Sequence, residues 1–211
     1  MDASPGRPDR TTSRPQSGSP IGLRERKKAR TRESLRAHAL RLFEAQGYES
    51  TTLEQVAAAA DVSPRTLYRY FPAKEDLLLA DDYDPMLWRL IAARPQPESD
   101  LVAIRNALVE GLGYVDAEAE RAVAERTRIA LRVPSLEARM WAEQMRTAQD
   151  VAVALAGRAG VAGPTLRHQV AAAAAVAALV LGIRAWLEAG AGDPLATWVE
   201  RSLDALLDAA G

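Results

Sequence analysis

Between residues 52 and 74 stand side chains whose natural chemistry is hydrogen bonding to a polyanion. Arg65, Thr66, Tyr68 and Arg69 fall within five consecutive positions, flanked by Thr52 and Lys74. Guanidinium, hydroxyl and ammonium donors grouped in this way suit the phosphate oxygens and base edges of DNA. Leu67 and Phe71, four residues apart, supply an apolar face beneath them. Tyr70 fits two roles, a core aromatic or a further DNA contact. Upstream, residues 7–36 carry ten basic and three acidic side chains, among them Arg24, Arg26, Lys27 and Lys28. Such a run is either a solvated helix face or, ahead of this cluster, a segment that tracks phosphates. Beyond residue 80 the balance reverses to 13 basic against 18 acidic, so a net charge of −1 conceals two unlike halves.

The spacing predicts the elements that hold these groups. Leu35, Ala39, Leu42 and Phe43 recur at helical intervals from Arg24 onward, and Gly47 stands where a left-handed residue closes a helix. Thr52 with Gln55 three residues later forms a capping box for a second helix reaching about Ala60. Ser63 and Pro64 are an N-cap and first-turn pair for a third helix running to about Phe71, which Pro72 ends. Leu67 and Phe71 then face Val56, Ala57 and Val62, and the second and third helices make a helix-turn-helix whose second member enters the major groove. A fourth helix is expected from Lys74 to about Tyr83, broken near Pro85. Others are expected at 86–93, 99–119, 120–132, 135–158, 165–189 and from Asp193-Pro194 to about Ala210. No window alternates with period two, so the expected fold is all-α. It comprises a disordered arm (1–22, with four prolines, three glycines and four serines), a helix-turn-helix domain (23–80) and a helical effector-binding and dimerisation domain (81–211).

Composition removes several classes of function. The chain of 211 residues has no cysteine and two histidines, His38 and His168, 130 positions apart. Thiol chemistry and Cys-ligated metals are excluded, and no metal site, cofactor or catalytic set is expected. An enzyme with an appended DNA-binding module finds no phosphate loop or triad to support it. The longest apolar run, Val170–Ile183, is 14 residues, shorter than the ~20 that cross a bilayer. It reads as a buried helix, and with no apolar leader in the first 22 residues a cytoplasmic protein without membrane contact is expected.

The second half suits a cavity and an interface. Trp88, Leu112, Tyr114, Ile129, Trp141 and Met145 are apolar or amphipathic groups for a cavity, and His168 is a candidate for the same lining. Arg105, Arg126 and Arg128 suit an anionic head group or, equally, surface ion pairs. The alanine tract 171–175 allows close helix approach. The expected two-fold interface uses Ala174, Val176, Leu179, Ile183 and Trp186 with Trp198, Leu203 and Leu206.

The run Thr51-Thr52-Leu53-Glu54-Gln55-Val56-Ala57, followed by Val62 through Leu77, closely resembles the DNA-binding domain of TetR-family regulators over about residues 24 to 80. The resemblance implies that Thr52, Tyr68, Tyr70 and Lys74 contact phosphates, while Arg65, Thr66 and Arg69 lie nearest base edges. It departs at Asp61, where the turn often carries glycine; Asp tolerates a left-handed backbone. The resemblance also implies a homodimer on a palindromic operator, released by a small effector and most often a repressor. Asp81-Asp82-Tyr83-Asp84-Pro85 and Arg126-Thr127-Arg128-Ile129 resemble the subgroup of the mycofactocin-system regulator, which implies an acyl-CoA-type ligand. An effector-independent dimeric DNA-binding scaffold is the alternative, and an apolar pocket would decide against it.

Overall fold

The computed structural model describes residues 23–79 and 84–210, with side chains for 27, 28, 30–79 and 86–210. The expected disordered arm at 1–22, the side chains of Arg24 and Arg26, and the boundary expected at residue 80 lie outside the described residues.

The first helix, α1 (Leu23–Gln46), ends at Gly47, whose φ of 87° lets its N–H donate to the Phe43 carbonyl at 2.9 Å. Next, α2 (Leu53–Ala59) starts at the Thr52 capping box: the Thr52 hydroxyl accepts from the Gln55 N–H, and Gln55 Oε1 accepts from the Thr52 N–H. The turn to α3 (Pro64–Tyr70) passes through Asp61 at φ 53°, so an aspartate does hold the left-handed position there. Leu35, Phe43, Val56, Leu67 and Phe71 bury together beneath the three helices, each worth about 1.5–3 kcal/mol by area removed from water.

The remaining helices are α4 (Asp76–Leu79), α5 (Asp84–Ala93), α6 (Asp100–Leu112), α7 (Ala117–Leu131), α8 (Glu137–Arg158), α9 (Leu166–Glu188) and α10 (Leu195–Ala210). Among the described residues there is no strand. The single helix expected over 99–119 is broken. Gly113 closes α6, and the Asp116 carboxylate accepts from the Glu118 and Ala119 N–H groups at 3.1 and 2.9 Å, so α7 begins three residues before the expected start. A second core gathers Ile91, Ile104, Leu155, Trp186, Val199 and Leu203 around α9, which packs on α6, α8 and α10.

Two features tie the cores together. A 3-10 turn, Pro134–Leu136, sends Leu136 into the first core beside Ala130 of α7. On its far side Ser135 donates to Glu49 at 2.7 Å, and Arg139 reaches Asp76 at 3.3 Å. Along α9, burial is confined to one side: a third of its most apolar window is buried, and Val170 and Leu181 are 60% and 63% exposed. By length and composition alone this helix is also long and apolar enough to span a bilayer, a test that the core helix of a soluble protein equally passes. The sequence expectation of a buried helix therefore holds for the inner face only.

Candidate functional site

The outward face of α3 presents Arg65, Tyr68 and Arg69, all exposed, with Thr66 half-buried. Ser63 caps the helix and its hydroxyl lies 2.9 Å from that of Thr66, so the cap fixes the first turn of α3. Tyr68 donates its hydroxyl to Glu54 of α2 at 3.0 Å. The hydrogen bond raises the Tyr68 pKa. The Glu54 carboxyl is lowered, first by a bond from its own backbone and then by Tyr68. Arg69 lies over the ring of Tyr70, 5.1 Å from its centroid, and Tyr70 is half-buried against the first core. Its ring thus packs on the first core while its face carries the Arg69 guanidinium.

Lys74 is placed differently from a simple phosphate contact. Its ammonium donates to the carbonyls of Tyr48 and Thr51 at 2.9 and 3.1 Å, with Glu49 at 3.4 Å, and sits 4.2 Å from the Tyr48 ring centroid. Three carbonyls match its three N–H donors, so Lys74 clamps the α1–α2 turn and thereby the start of α2 at Thr52. Tyr48 beneath it is buried, and burial chiefly, with nearby carboxylates, pushes its hydroxyl up to about 12. The basic run of α1 also divides. Lys27, Lys28 and Arg30 are exposed, whereas Arg32 and Arg36 turn inward over Phe71, donating to the carbonyls of Tyr70 and Leu77.

A cavity of about 210 Å³ lies between α5, α6, α8 and α9. Leu87, Trp88, Ile104, Leu108, Val176 and Leu179 supply much of its apolar wall, and Glu143, Gln144 and Thr147 of α8 its polar rib. Leu79 of α4 closes one side while also packing on the first core. Met140, Gln144 and Val180 carry the wall outward into an open groove of about 980 Å³, floored by Val133–Ser135 and rimmed by Trp141 and Arg184.

Of the residues expected to bind a ligand, Trp88 alone lines the inner cavity. Trp141 lies on the outer groove, and Arg128 on a neighbouring cleft. Leu112 packs in the second core and Ile129 against the first. Tyr114 and Met145 are exposed, because α6 ends before Tyr114 and Met145 lies on the solvent side of α8. Arg105 is bound to Glu200 and Asp204 of α10 at 2.6 and 2.8 Å, and Arg126 lines a cleft between α1 and α7. His168 is buried at the start of α9, where Nδ1 accepts from the Thr165 N–H at 3.2 Å in a capping box. The polar rib of α8 was missed. Its signal is Glu143, Gln144 and Thr147, three polar residues between Met140 and Val151 on one helical face.

The expected interface set is corrected in the same way. Trp186 and Leu203 are core residues at 1% and 2% exposure, Val176 is buried, and Leu179 and Ile183 line the cavity. Ala174, Trp198 and Leu206 remain partly exposed. The outward stripe of α9 consists instead of Leu166, Val170, Ala177 and Leu181.

Residues 35–80 match the family described as bacterial regulatory proteins, tetR family, and residues 98–210 match the MftR C-terminal domain. The HTH-type transcriptional regulator TcmR of Streptomyces glaucescens is 37% identical over 147 residues, which are 66% of this chain and 65% of that protein. The chain thus spans just under two thirds of that relative's length. Among solved structures, the SmeT–triclosan complex, SmeT being the Stenotrophomonas maltophilia repressor, is similar with a TM-score of 0.57 at 17% identity, over 85% of this chain and 91% of that one. Thermus thermophilus FadR in complex with lauroyl-CoA is similar with a TM-score of 0.50 at 23% identity, over 83% and 93%.

Proposed function

This chain belongs to the TetR family of bacterial regulatory proteins, and from that membership we propose a homodimeric, ligand-responsive repressor that leaves a palindromic operator when a small apolar or acyl-CoA-like effector binds. In this reading Arg65, Thr66 and Arg69 meet base edges, while Thr52, Tyr68 and the exposed lysines of α1 meet phosphates. Lys74 acts on phosphates through the turn it clamps. Two copies place two recognition helices about one DNA turn apart, ~34–36 Å, which doubles the contacts a short helix can make. The protein works in the cytoplasm, where its operator is.

One observation carries effector control over a passive DNA-binding scaffold: the apolar cavity shares Leu79 with the core beneath the recognition helix. A ligand that needs the cavity wider than it stands displaces α4, and with it the base of α1, to which α4 is packed. Such a ligand binds the displaced form better, and only that difference in affinity releases DNA. The polar rib at Glu143, Gln144 and Thr147 offers hydrogen bonds that orient it. Of the two solved structures named above, one is a complex with triclosan and the other with lauroyl-CoA. Apolar groups of either size suit a wall of this character.

The test has two stages. Selection of bound sequences from a random DNA pool yields the operator, expected to be a two-fold palindrome. Titration of the operator complex with lauroyl-CoA, lauric acid and triclosan is then expected to release DNA for at least one of the three, and Leu179→Trp, which fills the cavity, to abolish that release. Release that persists undiminished in Leu179→Trp overturns the cavity as the effector site.

A further inference from the structure

A tyrosine hydroxyl has one proton to donate, and Tyr68 donates it to Glu54 Oε1 at 3.0 Å, which joins the outward face of α3 to the first turn of α2. Phosphate oxygens only accept. Tyr68 can therefore donate to a phosphate only by leaving Glu54. Thr52 stands in the same position, for the Glu54 carboxyl is held below its ordinary pKa by its own backbone N–H first, then by Tyr68 and Thr52. At neutral pH this carboxylate accepts and has no proton of its own. When both hydroxyls turn to phosphates, as in the reading above, it loses both side-chain donors together.

Glu54 is exposed, and its bond to Tyr68 sets the carboxylate beside the residues that meet DNA in that reading: Arg65 lies one turn before Tyr68, and Arg69 follows it. Those two arginines offer donors only. They match the O6 and N7 acceptors of guanine and the phosphate oxygens, and a carboxylate matches neither. The donors that a duplex presents in its major groove are the exocyclic amino groups, N4 of cytosine and N6 of adenine. Adenine sets its N7 acceptor beside that amino group, where it repels a carboxylate; cytosine does not.

We infer that Glu54 is a specificity-determining residue whose carboxylate accepts from the N4 amino group of a cytosine when Tyr68 and Thr52 pass to phosphates. The inference rests on the operator-binding reading above. It adds an acidic reader from α2 to a set expected from sequence to consist of cations and hydroxyls. Where no cytosine stands in reach, the carboxylate keeps its hydroxyl partners and the phosphate contacts are not completed. One side chain thereby couples base identity to backbone contact.

Full-length wild type, Glu54→Gln and Tyr68→Phe are each put through selection of bound sequences from a random DNA pool, with circular dichroism as the check on folding. Wild type is expected to require a cytosine at one position of each half-site that Glu54→Gln no longer requires, the other positions being unchanged. Tyr68→Phe is expected to keep that cytosine while binding the whole operator more weakly. Replacing the cytosine by 2-pyrimidinone, which lacks the amino group, is expected to weaken wild type about tenfold or more and Glu54→Gln less than about twofold. Equal affinity of wild type for the two bases overturns the inference without any change to the protein. An unchanged cytosine requirement in Glu54→Gln also overturns it, as does a variant that binds operator and random duplex more tightly by one common factor, since the carboxylate then only repels phosphate. Loss of the requirement in Tyr68→Phe makes the hydroxyl the reader, and an adenine required in place of the cytosine refutes the choice of base. No sequence enriched by wild type overturns the operator reading itself.

Discussion

At the scale of single residues, two cations that look alike in sequence do different work. Arg65 is exposed and makes no clamp, so Arg65→Ala is expected to leave folding intact and relax sequence preference by about 1–3 kcal/mol in a binding-site selection. Lys74 is held by three carbonyls, and Lys74→Ala is expected to lower the stability of the N-terminal domain by about 2 kcal/mol, seen as an earlier urea midpoint. Its loss of DNA affinity should shrink when the osmolyte trimethylamine oxide restores folding; an unchanged urea midpoint contradicts the clamp. The caps at Thr52 and Ser63 were legible in sequence because they involve residues three apart. The fate of Lys74 was not, because its partners lie 23 to 26 positions upstream and no local pattern records them.

At the scale of elements, close packing and charge fix how helices meet. A Cβ at Gly182 would stand 2.6 Å from the Ser202 hydroxyl and 3.0 Å from the Trp198 carbonyl, so α9 and α10 cross there at backbone distance. The hydroxyl can turn away but the carbonyl cannot, and Gly182→Ala is expected to cost about 1–3 kcal/mol in thermal or urea unfolding. Ser202→Gly in the same chain should recover only part of it. Between α5 and α6, Arg94 bonds Glu98 and holds its carboxyl at about 2, with help from Asn106. A depressed carboxylate contributes stability at neutral pH that is lost as pH falls from about 4.5 toward about 2. Carbon NMR titration should place the Glu98 midpoint near that lower value, and Glu98→Gln should flatten the stability profile across the interval. Helix existence was readable from periodicity and caps. Which face of α9 looks inward was not, because alanine occupies both faces of its first half and burial is then decided by α8 and α10.

At the scale of the whole molecule, the outward stripe of α9 leaves Leu166, Val170 and Leu181 in solvent in a single chain. Pairing of two such stripes would supply the contact of the proposed homodimer, with Ala177 permitting close approach. Wild type is expected to sediment as a dimer at micromolar concentration and Val170→Glu as a folded monomer with weakened operator binding; a dimeric Val170→Glu places the contact elsewhere. The 3-10 turn at Pro134–Leu136 joins the first core to the outer groove. Leu136 belongs to the core under the recognition helix, while Pro134 and Ser135 floor the outer groove. A wall with two owners cannot transmit in one direction only. By thermodynamic reciprocity, whatever factor an effector removes from DNA affinity, DNA removes from effector affinity. A chromosome bearing extra copies of the operator would then hold this protein in its less receptive form, and the effector concentration needed for induction would rise with operator copy number.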